Sequence, residues 1–444
     1  MKILLINPIA RKWAQPNVFP TGLGYIAAVL RNEGHEVDVL DWNAERWGES
    51  VFGAKLALQD KPGLVGLTGI ITQYGEVKKI AEWCNFQWPR VPIVCGGTLA
   101  TTVPLLLLDK TKVNYCILGE GERAILDLID HLPIMDSVEN KLEHIFSRKE
   151  SIKDLSTIPW PAYDLFPMDI YLRNPIGPHN PNKWKDGKSN APLTMNIIGS
   201  RGCPYNCIYC LHCFQGQGYR VRPYNDIIIE MDFLQRTYGV NYIQFVDDAF
   251  ACIRQKILDF CFAFKGRDMT WSCAGRANLV NEDVIRAMAD AGCIGLWYGL
   301  ESGSQKMLNS MNKKVTIRQY EEAIALNRKY FKYEDYTFIV GSPRETDETI
   351  QESIDFCKRM GVIPTAVFFM TPYPGTPLWR MLLSNDKKFR EMALDIDRLE
   401  EWILTLNEQG ERMAWNCSGA PDEKAYEWHQ KFIEETGAWN KDKH

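Results

Sequence analysis

Two stretches of this chain alternate short apolar runs with amphipathic helical periods, and that alternation constrains its fold more than any other feature. In the first stretch, apolar residues 2–7 precede Leu23, Ile26, Ala27 and Leu30, the i, i+3, i+4, i+7 stripe of a helix that Thr21 can cap and Gly34 can end. Further strands are expected at 36–40, 64–71, 92–95 and 115–118, with helices near 75–86 and from Ala124 onward. Strand–helix units of roughly thirty residues build a doubly wound parallel sheet, which binds ligands at the carboxyl ends of its strands. Glycines fall at those ends: Gly22 and Gly24, Gly69 after Thr68, Gly96-Gly97-Thr98, and Gly119-Glu120-Gly121-Glu122. Glycine there lets a ligand approach the backbone closely and leaves amides free to bind it. A nucleotide would suit such a face as well as a larger cofactor.

The alternation then stops. Pro159 and Pro161, around Trp160 and Tyr163, and later Pro175, Pro178 and Pro181 break regular structure and mark an interdomain strap, where simple packing is the expected role of each aromatic ring. From Leu193 the alternation restarts, with strands expected at 193–198, 242–246, 270–273, 295–298, 336–340 and 365–370. Helices are expected near 225–238, 281–291, 316–330 and 346–360. Six such units fit a partial barrel, in which the strand ends form the site. The boundaries expected are 1–140 for the first domain, 141–190 for the linker, 191–380 for the second domain and 381–444 for a helical extension. Trp402, Trp415, Trp428 and Trp439 of that extension are expected to pack.

The first strand of the second series runs into Cys203-x3-Cys207-x2-Cys210. Three thiolates at this spacing can hold three corners of a four-iron, four-sulfur cluster and leave one iron open to a small molecule. Gly202 and Pro204 suit the tight loop. A zinc site would need a fourth ligand, which His212 or Cys213 would have to supply from very close by. The remaining cysteines are scattered singly and read as buried free thiols, Cys213 included.

A formal net charge of -5, with no long run of Lys or Arg, argues against a nucleic-acid partner held by a basic surface. No apolar run reaches the ~20 residues of a membrane span. Residues 1–8 are too short and wrongly flanked for a signal peptide, so a cytoplasmic location is expected.

With Tyr209 just before the last cysteine, the motif resembles the signature of the radical S-adenosylmethionine (SAM) superfamily. In that family the open iron is chelated by the amino and carboxylate groups of SAM, and one electron from the cluster releases a 5′-deoxyadenosyl radical. The resemblance implies SAM contacts from Tyr209, from Asp247 and Asp248 to the ammonium, from Arg276 to the carboxylate, from Glu301 and Ser302 in Gly299-Leu300-Glu301-Ser302-Gly303-Ser304 to the ribose, and from Gly341. Tyr373-Pro374-Gly375-Thr376-Pro377-Leu378 matches the last strand end.

The amino-terminal half resembles the cobalamin-binding domain that precedes the radical core in one subfamily. That likeness implies cofactor contacts from Thr21, Gly22, Leu23, Gly24, Thr68, Gly69, Gly96, Gly97, Thr98, Gly119, Glu120, Gly121 and Glu122. The Asp-x-His-x-x-Gly motif is missing, with Asn7-Pro8-Ile9-Ala10 in its place, which implies cobalt without a histidine lower ligand. The implied fold is a Rossmann-like α/β domain, a partial (β/α)6 barrel and a small helical end. The implied activity is methyl transfer to an unactivated carbon: one SAM methylates cobalamin, a second gives the radical that abstracts hydrogen, and the methyl group passes to the substrate radical. A small-molecule or peptide substrate and a flavodoxin- or ferredoxin-like electron donor follow. Ring closure or rearrangement with the same cofactors, and a carrier or electron-transfer protein without radical chemistry, are the alternatives. No acid or base is identified.

Overall fold

The structure, a computed structural model, describes residues 1–12, 14–135, 140–148, 150–174, 176, 192–211, 213–214, 217–279, 281–406 and 412–438. His212, Trp439, Pro175, Pro178 and Pro181 lie outside them.

The amino-terminal sheet holds β1 (Lys2–Asn7), β2 (Glu36–Asp41), β3 (Leu64–Thr68), β4 (Ile93–Gly96), β5 (Tyr115–Leu118) and β6 (Ile145–Ser147), in the order β2-β1-β3-β4-β5-β6, all parallel. Three details depart from the expectations. The third strand stops at Thr68 rather than Ile71, because the Gln73 side chain accepts the Ile70 N–H and a 3-10 turn begins at Ile71. Thr21 is the first helical residue, not a cap: Pro20 precedes it, and its hydroxyl donates to Phe19 O at 3.3 Å. The linker expected at 141–190 contributes β6, so the first sheet closes inside it.

A second parallel sheet runs β14-β13-β12-β11-β10-β7, from β7 (Thr194–Ile197), β10 (Tyr242–Phe245), β11 (Thr270–Ala274), β12 (Cys293–Glu301), β13 (Tyr336–Val340) and β14 (Ala366–Phe369). Between β7 and β10, β8 (Ser200–Arg201) and β9 (Arg220–Val221) pair as an antiparallel ribbon. Its helices are closed by local caps: Gly239 and Gly361 take left-handed conformations after helices 224–238 and 347–360, and Thr316 and Thr346 cap helices 317–330 and 347–360.

Period-two burial sorts β1 onto two cores. Ile3 and Leu5 join a cluster that passes through Phe19, Ala162, Tyr163 and Phe166 to Met195 and Ile197 of β7 and into the second sheet. Leu4 and Ile6 join a cluster containing Trp379, Phe389 and Trp402. The strap is a tie rather than a cover. Ala162 N–H donates to Gly24 O at 3.0 Å, Trp160 Nε1 to Asp226 at 2.9 Å, and the Tyr163 hydroxyl to Glu230 at 2.7 Å. The carboxyl-terminal helices cover the first domain: Glu400 accepts from the Tyr74 hydroxyl at 2.6 Å and Lys78 at 2.7 Å, and Lys110 pairs with Asp397. Trp428 Nε1 caps the other side by donating to Asp347 at 2.8 Å. Among the described residues no helix is long and apolar enough to cross a membrane.

Candidate functional site

Two cavities lie at the carboxyl ends of the two sheets. The first, of about 420 Å³, is lined by all three motif cysteines together with Tyr209, Asp248, Arg276, Glu301 and Lys313. Its floor is the barrel interior, with Gln244, Trp297, Tyr298 and Thr337. Three hydrogen bonds from two segments, 311–312 and Leu378, anchor the cysteine loop. Ile208 N–H donates to Met311 O at 3.1 Å, Asn312 Nδ2 donates to Asn206 O at 2.7 Å, and Leu378 N–H donates to Ile208 O at 2.8 Å. Gly202 enters the loop with φ +85, and a Cβ there would stand 2.8 Å from Gly218 O, so no other residue fits.

The electrostatics separate the three cysteines, and only Cys207 is held toward the thiolate. The hydrogen bond from Cys210, and then the Lys313 and Arg276 cations, bring the Cys207 thiol well below its ordinary range. Cys210 is pushed up by donating to Cys207 and by burial, and Cys203 is raised by burial. Among the described residues no three His, Cys, Asp or Glu side chains converge to hold a single metal ion, as structural zinc would ask. A cubane needs three thiolates on three different irons, and the three cysteines of one loop facing one cavity fit that need.

Glu301 ends β12 with φ +64, at a register shift between Gly299 and Glu301. Its side chain folds back over Gly299, where a Cβ would meet Glu301 Oε1 at 2.2 Å. There it accepts from Lys313 Nζ at 2.8 Å and from the Tyr209 hydroxyl at 3.0 Å, while Lys313 also reaches Tyr209 at 3.0 Å. Lys313 was not singled out in the sequence. It is a buried lysine between two left-handed residues, Asn312 and Lys314, and only the fold brings it to the cavity.

Arg276 is more committed than the sequence suggests. Its guanidinium donates to Cys207 Sγ at 3.6 Å and to Lys313 O, and stacks 3.7 Å from the Tyr205 ring centroid. Its Nε is buried with no partner, as is Asn278 Oδ1 close by. Asp247 and Asp248 divide. Asp248 faces the cavity, whereas Asp247 turns inward, accepting from Gly199 N–H at 3.1 Å and from the Ser200 hydroxyl, with burial pushing it up to about 7. Ser302 and Gly341 also stand behind the lining. The Ser302 and Ser353 hydroxyls are 2.9 Å apart, and Gly341 N–H donates to Glu345, whose carboxyl burial raises to about 7.

The second cavity, of about 350 Å³, lies at the carboxyl ends of β1, β3, β4 and β5 and against the cluster loop. Gly22, Leu23, Thr68, Gly96, Gly97, Thr98, Gly119, Glu120, Gly121 and Glu122 line it, as expected from the sequence, together with Tyr25, Arg201, Cys213 and Phe214, which were not expected. A Cβ on Gly22 or Gly96 would meet nothing within 4 Å, so a side chain at either would project into open space that a ligand can fill. The cavity is of a size to take part of a corrinoid rather than the whole. Among the described residues no histidine lines it.

Thr21, Gly24 and Gly69 fall outside this lining. Thr21 accepts from Asn196 of β7 at 2.9 Å, a Cβ on Gly24 would press on Pro161 at 2.8 Å, and Gly69 O receives Leu99 N–H at 3.0 Å. All three hold backbone or domain contacts. Leu211 and Asp248 line both cavities, so one short wall separates them.

Comparison with known proteins matches residues 13–129 to the B12 binding domain and residues 197–357 to the radical SAM superfamily. An uncharacterized methyltransferase of Pyrococcus horikoshii is 30% identical over 407 residues, covering 87% of this chain and 84% of the relative. The cytidylyl-2-hydroxyethylphosphonate methyltransferase of Streptomyces wedmorensis is 25% identical over 440 residues, 85% of this chain and 81% of its own. The radical SAM methyltransferase TsrM of Kitasatospora setae, solved with tryptophan substrate and a SAM analog bound, shares the fold at a TM-score of 0.64 and 19% identity, over 86% of this chain and 77% of that one.

Proposed function

Because the chain belongs to the cobalamin-dependent radical SAM enzymes, we propose that it is a methyltransferase acting on an unactivated carbon of a small molecule or peptide side chain. Its cofactors are a four-iron, four-sulfur cluster, SAM and cobalamin. When bound, the cluster and SAM supply a 5′-deoxyadenosyl radical, and cobalamin supplies the methyl group.

The observation that carries this reading is the wall shared by the two cavities, at Leu211 and Asp248. A substrate carbon there is within reach of both cofactors, and holding reactants in place accounts for much of what a protein contributes to such chemistry. Cys203, Cys207 and Cys210 hold the cluster. Tyr209, Asp248, Arg276 and Glu301 contact SAM, while Asp247, Ser302 and Gly341 support the strand ends from behind. Lys313 joins Arg276 as a cation for the SAM carboxylate and holds Glu301 in orientation. Gly22, Leu23, Thr68, the Gly96-Gly97-Thr98 turn and the Gly119–Glu122 turn receive cobalamin. A flavodoxin- or ferredoxin-like protein delivers the electron.

Anaerobically reconstituted protein, given hydroxocobalamin, SAM and a reductant, tests the reading through two by-products. Methyl donation leaves S-adenosylhomocysteine and hydrogen abstraction leaves 5′-deoxyadenosine, so a methyltransferase makes both. 5′-Deoxyadenosine alone points to ring closure or rearrangement. Neither product points to a carrier.

A further inference from the structure

The ribbon of β8 and β9 closes the base of loop 202–219, which carries all three motif cysteines. Arg201 and Arg220 are direct cross-strand partners in it. Like charges placed so repel one another, and these two are buried, with side chains 7% and 9% exposed. The opposing charge comes from the other domain. Glu120 Oε1 accepts from Arg201 at 2.9 Å and from Arg220 at 2.8 Å, and Glu122 pairs with Arg201. The second Glu120 oxygen accepts Ile152 N–H at 2.9 Å, and Arg220 donates back to Ile152 O at 2.7 Å. Two arginines and two glutamates balance, and losing one carboxylate strands a buried guanidinium.

The same side chains face the second cavity: Glu120, Glu122 and Arg201 all line it, as does Tyr25, whose ring centroid lies 5.4 Å from Arg201. Arg201 is two residues from Cys203, and the close approach of Gly202 to Gly218 leaves no slack between them. A ligand in the second cavity therefore rests on the groups that fix the base of the cluster loop.

We propose that Glu120 is a positioning residue that couples the two cofactor sites, so that occupancy of the second cavity alters SAM affinity and the cluster's surroundings. This rests on the second cavity being the cobalamin site. Coupling of this kind is reciprocal: each ligand changes the other's affinity by the same factor.

The test uses the reconstituted full-length chain. SAM affinity is measured with and without hydroxocobalamin, hydroxocobalamin affinity with and without SAM, and the EPR spectrum of the reduced cluster in each state. The expected result is one shared factor of about fivefold or more, with an EPR spectrum that responds to cobalamin. In Glu120→Gln, which also removes a lining group of the second cavity and is expected to weaken hydroxocobalamin binding, the factor measured at saturating hydroxocobalamin falls toward one and the EPR response disappears. Should that variant lose its iron, Glu120→Gln with Arg220→Gln, which removes a matched pair of charges, is expected to show the same loss of coupling. Equal SAM affinity with and without cobalamin in the unaltered chain overturns the proposal, as does full coupling in either variant. Failure of hydroxocobalamin to bind at all sinks the cobalamin reading as well; binding without coupling sinks this proposal alone.

Discussion

Both six-stranded sheets are wholly parallel, but β1 lies between β2 and β3 in the first, whereas the strands of the second follow chain order from β7 at one edge to β14 at the other. In the first sheet successive connections leave β1 in opposite directions, and the crevice opened at that reversal is where ligands of such sheets bind. The second cavity sits there, with Leu5 of β1 and Gly66, Leu67 and Thr68 of β3 in its wall. In the second sheet every connection advances the same way, the sheet curls, and the site is its concave interior, lined from β10, β11, β12 and β13. Strand order alone, with the same repeating unit, moves a binding site from a crevice to a bowl.

The sharpest way to break this comparison is to remove one site and look at the other. Cys207→Ala is expected to abolish cluster assembly and 5′-deoxyadenosine formation, while hydroxocobalamin still binds; iron analysis and absorption titration check both halves. In the reverse direction, Gly96→Val fills open space at the end of β4. It is expected to weaken hydroxocobalamin binding by at least about tenfold, equivalent to ~1.4 kcal/mol, with iron content unchanged.

A third test sharpens the contrast through acidity. Burial raises Asp247 to about 7 at the end of β10, whereas at Glu120 in the second cavity burial is outweighed by hydrogen bonds from Ile152 N–H and Arg201, which hold its carboxyl below the usual range. The folded chain keeps a proton on Asp247 at pH values where the unfolded chain has lost it. Stability therefore falls as pH rises from about 4 to about 7, by at most ~1.4 kcal/mol per pH unit for that group, and levels off above. Asp247→Asn is expected to flatten that slope in denaturant melts across the window. The smallest effect concerns the joint between the halves: Glu400→Gln weakens the hydrogen bonds from Tyr74 and Lys78. It is expected to cost about 1 kcal/mol, read as a lower denaturation midpoint with both sites intact.

What the sequence disclosed depended on how local the signal was. The cysteine spacing and most of the glycines at strand ends act within a few residues, and the structure brings them to the two cavities. The strand at 145–147 was not legible because Ile-Phe-Ser has too few residues to show a period. Arg201 and Arg220 were not legible because their partner lies far away, Glu120 being 81 residues from Arg201 and 100 from Arg220; Lys313 was not, because it meets Glu301, 12 residues away, and Tyr209, 104 away, only through the fold. Adjacent Asp247 and Asp248 looked equivalent, but successive residues at a strand end point to opposite sides, so only one of them meets the cavity.

The contact of Glu400 with Tyr74 spans 326 residues. It bears on how the protein is made. The amino-terminal sheet leaves the ribosome well before the segment that shields one of its faces, with Trp379, Phe389 and Trp402. Domains fold as units during synthesis, and exposed apolar surface invites aggregation meanwhile. Until that segment is made, the nascent chain exposes the apolar face it will cover, so a chain cut before Trp379 is expected to leave the first domain prone to aggregation.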